Sequence, residues 1–560
     1  MPIRLYASIC ILSLGSIAAA ADRPNVLLIC VDDLKPAIGC YGDPLAKTPA
    51  IDALAKRGVR FDRAYCNQAV CAPSRNALLT GLRPQTLGIY DLGTNFRLSR
   101  PDAITLPQHF KNHGYRTEAL GKIFHVGHGN HEDPASWSAP HWKSEVVAYV
   151  LPESKPKNAK LTREEARFAG KDPGILPKGA AVEIADVADE AYPDGAVAAE
   201  AVARLRAARD RPGQPFFLAV GFVKPHLPFC APKKYWDLHD RNRFSLAERT
   251  TPPAGAPDYA PQFGGELRQY AGIPEKGDLD PELQRTLIHG YYAAASYMDA
   301  QVGKLIAELD RLDLARNTII VLWGDHGWHL GDHGIWCKHT NYEQASRIPL
   351  IVVAPGSGAV GKTSSAAVET VDIYPTLAAL GGLPAPEGLD GRGFVDHVVD
   401  PAKPSTRDSV IHVYPRGKRL GRAIRTERHR LVEWKPIGAP ASEAEFELYD
   451  YATDPLETRN LAAEQPEVVA RLQALLARHP EAKKQIPRPA AAAEPAAPKR
   501  DRAAMFRGRD KDDDGRLTRA EFLANQPDPD KAPQRFITFD TNKDGHLSLD
   551  EFVSMGSARP

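Results

Sequence analysis

The chain is poor in sulfur. Among 560 residues there are seven cysteines and four methionines, too few and too scattered for a disulfide-stapled scaffold. It also lacks surplus charge. Lys and Arg number 71 against 70 Asp and Glu, for a formal net charge of +1. That removes the electrostatic argument for a nucleic-acid partner and leaves room only for a local basic pocket. Long apolar runs are missing too. The mean hydropathy is -0.36, which excludes a polytopic membrane protein. The one apolar stretch that stands apart, in "MPIRLYASICILSLGSIAAAAD" (1–22), falls short of the roughly 20 residues needed to cross a bilayer. It follows one basic residue, Arg4, and ends in small alanines, the layout of a secretory signal peptide cleaved near Ala20 or Ala21. The expectation is a signal peptide over 1–21 and an exported protein (periplasmic, cell-surface or secreted) with no membrane span after cleavage. Cys10 lies within the apolar region, too early for a lipoprotein cysteine. Six cysteines then remain, Cys30, Cys40, Cys66, Cys71, Cys230 and Cys337, and the sequence pairs none of them.

What is present is an alternation of apolar runs and helical patterns. "NVLLICV" (25–31), "PFFLAVGFV" (215–223), "TIIVLWG" (318–324) and "PLIVVAP" (349–355) are unalternating and rich in β-branched residues, as parallel strands buried on both faces should be. "IDALAKRG" (51–58) and "ASYMDAQVGKLIAELDRL" (295–312) carry helical periodicity between them. This is the pattern of an α/β domain. Polar residues follow three of the runs directly: Asp32 and Asp33, then Lys224 and His226, then Asp325 and His326. Ligands of open α/β sheets sit outside the carboxyl ends of strands, so three such clusters predict one shared site. After about residue 400 the texture changes to short strands and turns, with an amphipathic helix in "PEVVARLQALLARHP" (466–480), a small α+β subdomain.

Three carboxylates in one pocket, Asp32, Asp33 and Asp325, are costly unless a cation accompanies them. Oxygen ligands favour Ca2+ or Mg2+, and His326 adds a nitrogen that is unusual for Ca2+. Around the acids lie Arg75, Lys122, Lys224 and Lys338, with His125 and His226. A metal together with basic groups suits an anionic tetrahedral ester, a phosphate or a sulfate. In "VCAPSRNALLTGLRP" (70–84), Cys71 stands at the mouth of a predicted helix, with Pro73 suited to its first turn and Gly81 to the position after its last. The helix N-terminus and Arg75 both favour an anion there. A plain thiolate, however, is a soft ligand beside a hard, oxygen-bound metal.

The segment "CAPSR…LLTG" resembles the type I sulfatase signature, in which the cysteine of C-x-P-S-R is oxidised to Cα-formylglycine; "ELYDYATDPLETRNLA" (447–462) resembles the C-terminal segment of the same family. "NVLLICVDDLKPAIGCYGD", "QAVCAPSRNALLTGLRP", "GKIFHVG", "KPHLPF" and "WGDHGWHLGDHGIWCKHTN" are similar to the iduronate-2-sulfatase branch. The resemblance covers about residues 22–480. It implies an alkaline-phosphatase-like α/β sandwich with a largely parallel central sheet. It implies metal ligation by Asp32, Asp33, Cys71 as formylglycine, Asp325 and His326. Arg75 and Lys122 would hold the formylglycine, His125 would hydrogen-bond its hydroxyl, and His226 and Lys338 would contact the sulfate and its leaving oxygen. The implied substrate is a 2-O-sulfated uronic acid of a glycosaminoglycan or similar sulfated oligo- or polysaccharide. Maturation would need a formylglycine-generating enzyme.

Beyond the Pro/Ala segment "IPRPAAAAEPAAPKR" (486–500) lie "DKDDDGRLTRAE" (510–521) and "DTNKDGHLSLDE" (540–551). Each matches the calcium loop of an EF-hand position by position. Asp510, Asp512, Asp514, Thr518 and Glu521 fill the oxygen positions of the first, and Asp540, Asn542, Asp544, Ser548 and Glu551 those of the second. Arg516 and His546 stand at the position that ligates through its backbone carbonyl. Two bound Ca2+ ions are expected. The domains expected are a catalytic domain (22–400), its C-terminal subdomain (401–482), a linker (483–500) and a helical EF-hand pair (501–560). Two rival functions stand beside sulfate-ester hydrolysis: a phosphomonoesterase or phosphonate hydrolase of the same fold, and a non-catalytic calcium-binding surface protein.

Overall fold

A computed structural model describes residues 23–155, 177–261, 265–488, 502–524 and 532–554; the expected signal peptide lies outside them, as does the linker from 489 to 500. The chain divides into two compact units, 1–487 and 488–560. The first is built on an eight-stranded sheet. Its strands are Asn25–Val31 (β1), Val59–Tyr65 (β2), Arg116–Gly121 (β3), Phe216–Phe222 (β4), Thr318–Gly324 (β5), Arg347–Ile348 (β6), Leu350–Val353 (β7) and Lys362–Glu369 (β8). Their order is β8-β2-β7-β5-β1-β4-β3, with β6 against β2. β1 runs parallel to β4 and β5, pairing Val26 with Phe217 and with Ile319. β3 is parallel to β4, and β8 to β2.

The unalternating apolar runs form strands because both faces are covered. Along β1, Val26, Leu28 and Cys30 enter one core with Val321 and Trp323, while Leu27, Ile29 and Val31 enter another with Ile320 and Leu322. One expectation is corrected. The run at 349–355 is not a parallel strand: β7 is antiparallel to both β2 and β5. The chain leaves β5 at the carboxyl end of the sheet and stays there through the site residues that follow, so it re-enters the sheet in the reverse direction.

Flanking helices include Pro49–Ala55 (α1), Cys71–Thr80 (α2), Pro193–Arg209 (α3) and Pro281–Arg311 (α4). After residue 400 an antiparallel sheet of Val410–Arg416, Arg419–Arg425, His429–Pro436 and Glu445–Asp450 packs on the helix Pro466–Leu476 (α5) through Ile411, Ile424, Leu431, Leu448, Leu472 and Leu476. Residues 483–486, within the segment expected as linker, are held on this unit: Lys483 N–H donates to Gln85 O at 3.0 Å and Ile486 N–H to Gly88 O at 2.8 Å.

Among its described residues the second unit has four short helices and a two-stranded ribbon in which Leu517 pairs with Leu547. Its core is Phe506, Leu517, Phe522, Phe536, Leu547 and Phe552. Phe539 packs against the edge of this core, partly buried.

Candidate active site

Each strand of the parallel core delivers a polar residue as it leaves the sheet. Asp32 and Asp33 follow β1, Lys122 follows β3, Lys224 and His226 follow β4, and Asp325 and His326 follow β5. Asp33 has φ +56°, a left-handed conformation that Asp tolerates better than most residues and that marks functional sites. Its N–H donates to Asp325 Oδ1 at 3.0 Å, which ties two strand ends together. Lys122 is aimed by Gly121, whose φ is +70° and where a Cβ would lie 2.1 Å from Gly221 O; only glycine fits there.

Cys71 is the first residue of α2, which is buried along its whole length and stops at Gly81 with φ +68°. Ser74 Oγ donates to the Asp325 carbonyl at 2.5 Å, and Arg75 Nε donates to Asp325 Oδ2 at 2.9 Å. Arg75 also reaches the carbonyls of Lys122 and Ile123. One helical turn thus locks Cys71 to the ends of β3 and β5. The thiol Sγ lies 3.4 Å from Asp32 Oδ1, 3.5 Å from His326 Nε2 and 3.8 Å from Lys122 Nζ. Lys122 is paired with Asp32.

A metal fits this donor set. Asp32, Asp33, Cys71 and His326 each offer a ligand atom, all within 4.8 Å of one another, and Asp32, Asp33, Asp325 and His326 are fully buried. Among the described residues Asp33 Oδ1 accepts no hydrogen bond; the Lys338 ammonium lies at 3.1 Å and His326 Nδ1 at 3.4 Å. Burial, with Asp32 beside it, pushes the Asp325 carboxyl well above the usual carboxylate range, and pushes Asp33 up as well. Such crowding is what a buried dication relieves. Burial also opposes ionisation of Cys71, but Lys122 and Lys338 outweigh it and hold the thiol well below its ordinary range.

The remaining cations form a second group. His226 Nδ1 donates to Leu227 O at 2.6 Å, which fixes the ring and turns Nε2 to Glu266 Oε1 at 3.0 Å. Lys338 Nζ contacts Glu266 Oε2 at 2.6 Å and lies 5.0 Å above the Trp328 ring. Burial would lower His226, but Glu266 and Asp33 outweigh it and raise it well above the ordinary imidazole range. Glu266 is a site residue that the sequence reading missed. Lys224, by contrast, points away: its Nζ donates to the carbonyls of His226 and Pro228, so it shapes the loop rather than facing the carboxylates. His125 is buried beside Cys71, and burial lowers its basicity. The structure therefore brings together Asp32, Asp33, Cys71, Arg75, Lys122, His125, His226, Asp325, His326 and Lys338.

Both EF-hand loops have the turn their sequence predicts, with φ +60° at Asp513 and Lys543 and about +80° at Gly515 and Gly545. Asp510 accepts from Asp514 N–H and Gly515 N–H, and Asp540 from Asp544 N–H and Gly545 N–H. Asp510, Asp512 and Glu521 bring oxygens within 4.8 Å of one another, a donor set suited to a hard cation.

Comparison with known proteins identifies the family. The sulfatase family profile matches residues 24–383, a profile described as N-sulphoglucosamine sulphohydrolase, C-terminal, matches 331–483, and an EF-hand profile matches 534–555. The iduronate 2-sulfatase of Homo sapiens is 34% identical over 536 residues, covering 82% of this chain and 94% of that protein. Among solved structures, a phosphonate monoester hydrolase of Agrobacterium radiobacter superimposes with a TM-score of 0.67 at 22% identity, covering 82% of this chain and 96% of that one. A 2-O GAG sulfatase superimposes with a TM-score of 0.59 at 22% identity, covering 81% and 91%. The two superpositions show the fold. With the profile spanning most of the chain and a relative aligned over nearly its full length, the chain belongs to the sulfatase family, is similar to iduronate 2-sulfatase, and is a sulfuric ester hydrolase with an EF-hand segment at its C-terminal end.

Proposed function

We propose that this enzyme hydrolyses sulfate esters through a formylglycine made from Cys71, acting on 2-O-sulfated uronic acid residues of sulfated oligo- or polysaccharides. The observation that carries the reading is the place of Cys71: first residue of a buried helix, 3.4 Å from Asp32, 3.5 Å from His326 and 3.8 Å from Lys122. When present, the divalent ion (Ca2+, with Mg2+ the alternative) neutralises sulfate oxygens, and the hydrated aldehyde supplies a hard oxygen nucleophile. Asp32, Asp33, Asp325 and His326 would hold the ion together with the oxygen of residue 71. Arg75 and Lys122 orient residue 71. His125 accepts the proton of its hydroxyl. His226, kept protonated by Glu266, donates to the departing alcohol, and Lys338 binds the sulfate. Formylglycine formation requires a generating enzyme in the host, and the protein acts after export. The two EF-hand loops bind Ca2+.

Support for the uronate 2-O position comes from the likeness to iduronate 2-sulfatase. Lys338 alone does not supply it, because Glu266 offsets its charge. Two measurements test the reading. Mass spectrometry of the peptide spanning residues 64–83 should find the aldehyde, and Cys71→Ala should abolish turnover with an unchanged fold; appreciable sulfatase activity in that variant would refute the mechanism. Against defined oligosaccharides, 2-O-sulfated uronates should react faster than 6-O-sulfated hexosamines, and the reverse order would remove the uronate assignment. An aryl phosphate preferred far above an aryl sulfate would instead establish a phosphomonoesterase.

A further inference from the structure

The loop after His125 contains a second histidine in an expensive place. Gly127 and Asn130 close a two-residue turn, with Gly127 N–H donating to Asn130 O at 3.1 Å and Asn130 N–H to Gly127 O at 2.8 Å. Its central residues, His128 and Gly129, have φ +55° and +93°. This is the type I′ pattern, for which Asn-Gly is a favoured pair. Histidine at the first central position carries a backbone cost that Asn or Gly would reduce, and strain of this kind persists where the surroundings impose it. The contact it makes is specific. His128 Nδ1 lies 3.2 Å from His125 Nε2, with the two rings stacked at 5.3 Å between centroids and 27° between planes. His125 is 3% exposed, and its other nitrogen, Nδ1, has no hydrogen-bond partner among the described residues.

We infer that His128 is a positioning residue for His125: it accepts the Nε2–H of His125, so that the Nδ1 lone pair of His125 is the one directed at residue 71. A neutral imidazole carries one donor nitrogen and one acceptor, and the bond made by one decides the role of the other. The inference rests on the proposed role of His125 as acceptor of the hydroxyl proton of residue 71. In that step the proton passes from oxygen to Nδ1 and its bonding pair stays on the oxygen. Without the His128 contact, the ring is free to present an N–H to residue 71, which cannot accept a proton.

Two readouts test this. The first needs neither metal nor aldehyde: ring-15N spectra of histidine-labelled full-length protein with Cys71 unconverted, the His125 signals identified by their loss in His125→Gln. Protonated Nε2 and bare Nδ1 are expected in the parent protein. Bare Nε2 would overturn the inference. The second is kinetic, with converted enzyme. His128→Gly removes the ring and His128→Asn keeps an acceptor oxygen near the position of Nδ1; both suit the left-handed turn, so both should fold. His128→Gly should lower kcat at least tenfold with KM within twofold, and His128→Asn should recover most of the loss. Parent-like kcat in the Gly variant, or equal losses in the two, would overturn the inference. A parent enzyme without sulfatase activity would refute the proposed function instead, and the 15N tautomer would then decide the His128 contact by itself.

Discussion

Glu266 puts one carboxylate between two cations, Lys338 Nζ at 2.6 Å and His226 Nε2 at 3.0 Å, where the proposed function places the substrate's sulfate. An anion bound by the same cations feels that carboxylate across a few ångströms, where unit charges at an effective dielectric near 20 interact by about 4 kcal/mol before screening. Replacing Glu266 by Gln should therefore lower KM for a small sulfate ester about tenfold, a change of about 1.4 kcal/mol, most visibly at low ionic strength. The same change acts on His226. Glu266 raises its pKa, so a proton donor there stays charged to higher pH; with Gln the alkaline limb of kcat should move to lower pH. An unchanged KM together with an unmoved alkaline limb would place Glu266 outside the substrate's reach. Nothing in the local sequence marks this residue, and the reason is physical. Asp32, Asp33, Asp325, His326 and Lys224 with His226 are legible because each follows an apolar run whose end is the rim of a sheet, and Cys71 and Arg75 are legible from their local motif. Glu266 arrives in a short 3-10 turn, Glu266–Gln269, flanked by no apolar run, and only tertiary packing brings it to His226.

Elements show the same division between local and distant causes. β1, β4 and β5 are readable because six consecutive buried residues in the first and seven in each of the others leave no polar face to alternate with. The direction of β7 was not readable, since a strand buried on both faces has the same composition whichever way it runs; the long excursion through the site residues decides it. The start of α1 is a further case. Thr48 precedes it without a side-chain cap, and Pro49 supplies only a favourable φ. The cap comes from α4 instead: Asp299 accepts from Ile51 N–H at 2.7 Å and Ala50 N–H at 3.1 Å. Asp299→Asn keeps one acceptor oxygen and turns an amide N–H2 on the other donor, leaving a buried N–H unsatisfied at about 1–3 kcal/mol. The urea midpoint of the variant should fall accordingly. The pH dependence carries the sign of a raised acid. Burial pushes the Asp299 carboxyl up to about 7 against the pull of the two N–H groups, so its ionisation opposes folding. Stability from this group is full below the pKa of the unfolded chain and is lost as pH rises through about 7. The gap between parent and Asn variant should therefore narrow from pH 4 to pH 7, and a gap that widens would mean that the two N–H groups outweigh burial and hold the Asp299 carboxyl below its ordinary range.

On the scale of the whole molecule, the two units answer to separate physical requirements. Every residue placed at the sulfatase site lies within 1–487, whereas the EF-hand unit carries its own aromatic core and two loops already turned for a cation. A chain ending after Pro487 should therefore retain kcat on a small aryl sulfate within about twofold. The end point matters. Gln485 Oε1 accepts from Tyr90 N–H at 2.8 Å and Ile486 N–H donates to Gly88 O, so a cut before residue 483 strips bonds from the catalytic unit at about 1 kcal/mol each and should lower its stability as well. Calorimetric titration with Ca2+ should find two more sites in the full chain than in the truncated one. The additional ions should also be the first removed by chelator. Asp512, Asp514, Asn542 and Asp544 are exposed, whereas Asp32, Asp33 and Asp325 are fully buried, with Lys122 against Asp32 and Lys338 against Asp33, so ions held in the loops would exchange with solvent directly and an ion held among the buried carboxylates would not. Equal stoichiometry in the two chains would mean that the loops bind no Ca2+, and loss of turnover on truncation after Pro487 would mean that residues 488–560 belong to the enzyme's working structure; a difference of two ions with turnover preserved leaves them a separate calcium-binding attachment.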